Sequence, residues 1–219
     1  MALTWILTEI ETEVRELIGA PGILYLNQAA IFNWINDFYR NVFPGDIYDQ
    51  QLESWWTFDT ADSDTGSTET LPETVFTISG PMTIKDSDDN ILPIDFYSNK
   101  STFYNIYPED SADEEDERST PASALLYNRI VELRPKADAV FTFKAASKIK
   151  PDALTAEVAP LNIMWGPAIT YGTAAMLMLR KKDHERASEL GDVYRGLVNV
   201  INKPNLIQKS KNTRAIPRF

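Results

Sequence analysis

Apolar residues recur with a helical period at both ends of this chain and with a two-residue period between them, which restricts the possible folds. A first helix is indicated by apolar residues three or four positions apart, namely Leu3, Ile6, Leu7, Ile10, Val14, Leu17 and Ile18. Asn27 is placed to cap a second helix before Pro44, with an apolar face of Ile31, Trp34, Ile35, Phe38 and Val42. Two helices with a short connection normally pack antiparallel.

The middle of the chain is rich in β-branched and aromatic residues that indicate strands. We expect a hairpin that turns at residues 86–90, and a second strand pair, 125–133 and 140–145, that turns at 134–138. The stretch 97–108 fits a helix or a strand equally well. Residues 50–150 are therefore predicted to form a β-rich insertion.

The helical period returns after residue 160. Pro167 predicts a kink or a late start for the third helix, and Gly172 on its apolar face permits close approach of another backbone. Asp183 is expected to cap the last helix, which Pro204 should end. Trp34, Trp165, Leu179 and Leu197 are predicted to be buried in the helical core.

These patterns predict an α+β fold built on an antiparallel four-helix bundle, with two N-terminal and two C-terminal helices. The bundle would comprise residues 1–49 and 151–203, the β-rich insertion residues 50–150, and an extended C-terminal arm residues 204–219. The longest apolar runs are too short to span a membrane.

The charge is large and unevenly distributed. The chain has 32 acidic and 21 basic residues and a net charge of −11, which excludes a simple cationic protein that coats DNA. Residues 1–120 hold 24 acids and 5 bases, whereas residues 121–219 hold 8 acids and 16 bases. Such polarity suits head-to-tail association of identical copies, although uneven charge that only aids solubility is an equal alternative.

The residues that carry chemistry are few. The chain has no Cys and one His, His184, which we interpret as a surface residue in a capping turn. Acidic turns at 62–69 and 86–90 resemble calcium loops, but from Asp86 the sixth position is Ile91 and the twelfth is Tyr97, so solvated turns are favoured.

Two further features have a bland and a functional interpretation. The acidic run 109–117 is interpreted as a self-repelling loop, in preference to a metal site or a DNA mimic. Trp55 and Trp56 are adjacent in a strand and face opposite sides, so one core and one interface tryptophan is the simpler interpretation. The sequence thus predicts no catalytic, cofactor or metal residue, and no enzyme.

The order of these pieces resembles the head-to-tail adaptor (connector or neck) proteins of tailed bacteriophages. The resemblance rests on the N-terminal helix pair, the strand turn at 133–138, and four segments: Lys150-Pro151-Asp152-Ala153-Leu154, Tyr171-Gly172-Thr173-Ala174, Tyr194-Arg195-Gly196-Leu197 and Arg214-Ala215-Ile216-Pro217-Arg218-Phe219.

The resemblance implies a structural virion protein of the phage neck, assembled in the host cytoplasm. About twelve copies would form a ring beneath the portal protein, extend the DNA channel and support the next neck or tail protein. DNA would pass through the lumen without specific binding, which suits an acidic protein. Arg180, Lys181, Lys182 and Arg186 are expected to face acids of a neighbouring subunit.

The basic C-terminus is expected to be a portal-docking arm rather than a disordered solubilising end. Its docking residues would be Lys203, Lys209, Lys211, Arg214, Ile216, Pro217, Arg218 and Phe219. Two other functions stay open from the sequence: a metal- or sugar-binding module or small hydrolase that uses the acidic loops and tryptophans, and an anti-host protein that mimics DNA.

Overall fold

The computed structural model describes residues 4–19, 27–61, 67–108 and 118–212, with only the backbone described at 79 and 204–212. Its helices and strands, in chain order, are α1 (Leu7–Leu17), α2 (Gln28–Asp37), α3 (Phe43–Asp46), β1 (Glu53–Asp59), β2 (Thr68–Thr70), β3 (Val75–Lys85), β4 (Ile91–Pro93), β5 (Asp95–Tyr97), α4 (Lys100–Ile106), β6 (Ser123–Tyr127), β7 (Ile130–Arg134), β8 (Thr142–Ile149), α5 (Gly166–Arg180) and α6 (His184–Asn212). A π-helical turn, Phe38–Val42, joins α2 to α3, and 3₁₀ turns cover Gln50–Leu52 and Ile163–Trp165.

The chain divides into two compact units. The helical unit comprises Met1–Leu52 and Lys150–Phe219, and the β-unit comprises Glu53–Ile149.

Helix α5 is the centre of the helical unit, where it contacts α1, α2 and α6. It is buried around most of its circumference because small residues such as Ala168, Gly172 and Ala174 let its neighbours approach closely. A Cβ atom at Gly172 would lie 2.1 Å from Cζ of Phe38, so this position accepts only glycine without repacking. Pro167 lies in the first turn of α5, so the late start is the correct alternative.

Aromatic rings fill the space beside α5. Trp165 is fully buried and packs edge-on against Phe43, with ring centroids 5.5 Å apart. Phe38 meets Tyr194 of α6 in the same manner at 5.4 Å. These contacts join residues from both ends of the chain into one core.

The predicted helix caps are confirmed and the predicted core is confirmed in part. The side chain of Asn27 accepts a hydrogen bond from the Ala29 amide, and that of Asp183 accepts one from the Arg186 amide. Trp165 is buried as expected, and Trp34 and Leu197 are half-buried. The prediction for Leu179 is wrong, since it is 54% exposed.

The expected helix stop at Pro204 is also wrong. Helix α6 continues through Pro204 to Asn212, so residues 204–212 are helical rather than part of an extended arm. An interior proline removes the hydrogen bond to the carbonyl four residues earlier, here that of Val200. Because Val200 is exposed, water can satisfy that carbonyl and the helix can continue.

The β-unit contains two four-stranded sheets, ordered β1-β8-β3-β4 and β2-β7-β6-β5. All described pairings are antiparallel except β5 with β6. One core between the sheets takes Trp56, Ile84 and Phe143 from the first sheet and Val131 and Leu133 from the second. The ambiguous stretch 97–108 holds α4, whose Phe103 is buried.

The hairpin turning at residues 86–90 is confirmed, but the second predicted strand pair is wrong. The predicted strand 125–133 is interrupted at Asn128 and Arg129, whose positive φ angles of 48° and 64° form the two-residue turn between β6 and β7. Strand β8 pairs instead with β1 and β3 in the other sheet. Alternation alone does not specify which strands pair.

The predicted four-helix bundle with a β-rich insertion is wrong as a fold class. The chain is α+β, and its two sheets span much of the fold. The physical reason is that the β-unit buries its own apolar residues between two sheets, so it is a second packed unit.

Candidate assembly surfaces

The net charge of the chain lies entirely on one unit. The helical unit has 13 acidic and 13 basic residues and is neutral. The β-unit has 19 acidic and 8 basic residues, a net charge of −11. The two units therefore present surfaces that differ in charge.

Helix α6 carries two apolar faces. Ala187, Leu190 and Val198 are buried against the rest of the unit. On the other side, Val193 and Val200 are exposed and Leu197 is half-buried, at the spacing of one helical face. A helix in an isolated globular unit needs only one apolar face, so the second face is available to a partner.

The second face lines an open groove of about 390 Å³, here called the α6 groove, which is formed by Trp5, Ile163, Met164, Pro167, Leu197, Val200 and Ile201. Met164 is 65% exposed and Val200 60% exposed. The Trp5 ring lies against Gly166, where a Cβ atom would come within 2.1 Å of Trp5 Cγ. Trp5 thus packs closely on the N-terminus of α5 at one side of the groove.

A second exposed apolar site is the β3–β4 hairpin of the β-unit. Strand β4 lies at the edge of its sheet, with Ile91 67% exposed and Leu92 also exposed. The Asp86 carboxylate accepts hydrogen bonds from the amides of Asp88 and Asn90 and from Asn90 Nδ2, at 2.8–2.9 Å. These bonds lower the pKa of Asp86 and fix the turn.

The expected interface cations all lie at or near the α5–α6 turn. The Arg180 guanidinium lies 3.4 Å from the ring centroid of Trp34, a cation–π contact. Arg186 pairs with Glu189 at 2.8 Å. Lys181 and Lys182 are exposed, and Lys182 has a positive φ of 62° that ends α5.

The expected docking arm is divided by the end of α6. Lys203, Lys209 and Lys211 belong to α6, and Lys203 is exposed. Arg214, Ile216, Pro217, Arg218 and Phe219 lie outside the described residues, as do most of the acidic turn 62–69 and the whole run 109–117.

Sequence reasoning missed a polar brace that holds α6 to the end of α3. Tyr194 donates to the Asp46 carboxylate at 2.5 Å, and burial together with this bond raises the pKa of Tyr194. Asn202 donates to the Asp46 carbonyl and accepts from the Tyr48 amide at 2.7 Å. Only the apolar periodicity that includes Tyr194 signals this contact in the sequence.

The residues of the brace also line a groove with Gly191 and Asn199, and no Ser or Lys is among the described residues that line it. Within the described ranges, no three potential ligands of the His, Asp or Glu type cluster as a metal site would require.

The two adjacent tryptophans of β1 behave as their alternation predicts. Trp56 is buried in the core of the β-unit, whereas Trp55 is 54% exposed. The Lys144 ammonium lies 4.4 Å from the centroid of the Trp55 ring. One tryptophan therefore stabilises the core and the other stays on the surface.

No protein-family model matches the chain, and no curated protein matches it at a significant level. Among the helices in the described part of the chain, none combines the length and apolar character that crossing a bilayer requires.

Proposed function

We propose that this chain is a structural, non-catalytic protein that assembles with copies of itself into a ring, as a head-to-tail adaptor of a tailed phage does. One observation carries the proposal: the whole net charge of −11 lies on the β-unit, while the neutral helical unit presents an exposed apolar groove. A ring needs two unlike surfaces on each subunit, and this chain carries two that are unlike in charge.

The partners follow from the sequence resemblance. The ring, of about twelve copies, binds the portal protein on one side and the next neck or tail protein on the other, within the virion. DNA passes through its lumen, and an acidic lining suits this role because it does not hold phosphates. Charge reversal of lumenal acids to Lys is expected to slow DNA passage.

Electron microscopy and sedimentation velocity of the purified protein, alone and mixed with the portal protein of the same phage, test the proposal. We expect rings that dissociate as salt is raised, because exposed ion pairs between subunits are screened. Rings that are indifferent to salt would assign assembly to apolar contacts alone. A protein that stays monomeric at every salt concentration, with and without portal, contradicts the proposal.

The portal-docking arm is tested by two truncations. Deletion of residues 213–219 leaves α6 whole, whereas deletion after Lys203 also removes nine helical residues. We expect the shorter deletion to keep the circular dichroism spectrum and Tm but to abolish portal attachment. Full attachment after the shorter deletion alone would place the portal contact on residues 204–212, and full attachment after the longer deletion would place it on the body of the helical unit.

A further inference from the structure

We propose that the α6 groove of one copy receives the β3–β4 hairpin of the next copy, with Ile91 entering the groove. This inference rests on the proposed function, because it names the two surfaces that join neighbouring subunits. The groove and the hairpin belong to different units, so the contact is head-to-tail. An open chain of subunits has a free groove at one end and a free hairpin at the other.

Both surfaces expose apolar side chains to water, and this exposure does not stabilise a free monomer. Met164 and Val200 extend from the groove, and Ile91 and Leu92 form the outer edge of a sheet. Exposed edge strands attract other chains unless they are covered or charged. The fixed Asp86 turn presents this edge in one conformation, which lowers the entropy that binding must overcome.

Charge selects the hairpin over other occupants of the groove. The hairpin turn carries Asp86, Asp88 and Asp89 against the single cation Lys85. From Val193 to its end, helix α6 contains no acid; Lys203 is exposed, and Arg195 pairs with Asp192 of the same helix. Pairing two grooves would bring two basic helix ends together, and pairing two hairpins would bring two acidic turns together. Only groove with hairpin joins opposite charges.

Two single variants test this pairing. Val200→Glu places a carboxylate in the groove and leaves the hairpin intact, whereas Ile91→Glu alters the hairpin and leaves the groove intact. Each variant alone should sediment as a monomer. An equimolar mixture should form dimers and nothing larger. The intact hairpin of the Val200→Glu variant binds the intact groove of the Ile91→Glu variant, and the remaining groove and hairpin of the dimer both carry a substitution.

The control is Val140→Glu, at a valine of the β-unit that is 61% exposed and lies outside the hairpin. It should assemble as the wild type does. Circular dichroism and Tm verify the fold of each variant, and Val200→Ser with Ile91→Ser replaces the pair if a glutamate variant misfolds.

Normal assembly by either groove or hairpin variant, a mixture that stays monomeric, or an equal loss in the Val140→Glu control would overturn the pairing. These outcomes differ from failure of the proposed function, in which the wild-type protein itself never forms rings.

Discussion

The helical unit and the β-unit bury their apolar residues in different ways. The helical core joins residues that are far apart in sequence, such as Phe43 and Trp165, around the small residues of α5. The β-unit builds its core from one continuous segment, between two sheets. The first unit is electrically neutral and exposes apolar surface, while the second carries all of the net charge. The two units thus differ in net charge, and this difference gives one subunit two unlike surfaces.

The largest effects test whether the two cores are independent. Trp165→Ala removes the centre of the helical aromatic cluster, and Phe143→Ala removes its counterpart in the β-unit; both side chains are fully buried. Each change should lower the free energy of unfolding by about 3–5 kcal/mol. Hydrogen exchange should show the loss of amide protection confined to the unit that carries the variant. Equal loss in both units after either change would mean that they unfold as one.

The next largest expected effect is a loss of stability of the helical unit at alkaline pH. Burial, against a smaller opposing effect of the Leu161 amide bond, raises the pKa of Tyr39 from 10.0 to about 12. The unfolded chain then releases this proton first, so the stabilisation is complete below pH 10 and is lost between pH 10 and 12. The loss should be about 2–3 kcal/mol.

The difference between the wild type and Tyr39→Phe in thermal melts from pH 9 to 12 measures this loss, because Tyr194, whose pKa is also raised, is present in both proteins. The variant should be less stable at pH 7 by about 0.5–1.5 kcal/mol, since the Leu161 amide no longer donates to the Tyr39 hydroxyl, but its stability should change less with pH. Parallel pH profiles for the two proteins would exclude Tyr39 as the source.

A glycine pair tests how closely α5 is packed compared with α6. Gly172→Ala should cost about 1–3 kcal/mol because the added methyl group overlaps the Phe38 ring. The matched change Gly196→Ala, where nothing lies within 4 Å of the new Cβ, should stabilise α6 by about 0.5–1 kcal/mol. Urea denaturation measures both, and effects of the same sign would contradict the packing described.

The smallest effect concerns the α5–α6 turn. Arg180→Ala removes the cation–π contact with Trp34 and should cost about 0.5–1 kcal/mol in the monomer. Lys181→Ala, at a neighbouring exposed cation, should change stability by less than about 0.5 kcal/mol. If both variants instead impair ring formation, these cations contact the neighbouring subunit, as the sequence leads us to expect.

Local signals in the sequence predicted local structure well. The Asn27 and Asp183 caps, the late start at Pro167 and the alternation at Trp55 and Trp56 depend on contacts within a few residues, and all are present in the fold. The hairpin that turns at residues 86–90 is also predicted by its turn residues.

Features that depend on distant partners were not predictable in the same way. Residues 142–149 have the alternation of any half-buried strand, and nothing in it specifies pairing with β1 and β3. The exposure of Leu179 and of Val200 depends on which side of each helix its neighbours cover. Local rules predict that the helix ends at Pro204. In the structure α6, which lines the α6 groove, continues beyond Pro204.

The dependence of α1 and α2 on α5 has a consequence during synthesis. Ile10 and Ile31 are fully buried, but α5, which both of their helices contact, begins only at Gly166. At roughly 5–20 residues per second, the ribosome needs on the order of 6–26 s to reach α5 after completing α2. Throughout that interval α1 and α2 lack the helix that covers their apolar faces, so the nascent chain exposes apolar surface of the kind that chaperones bind.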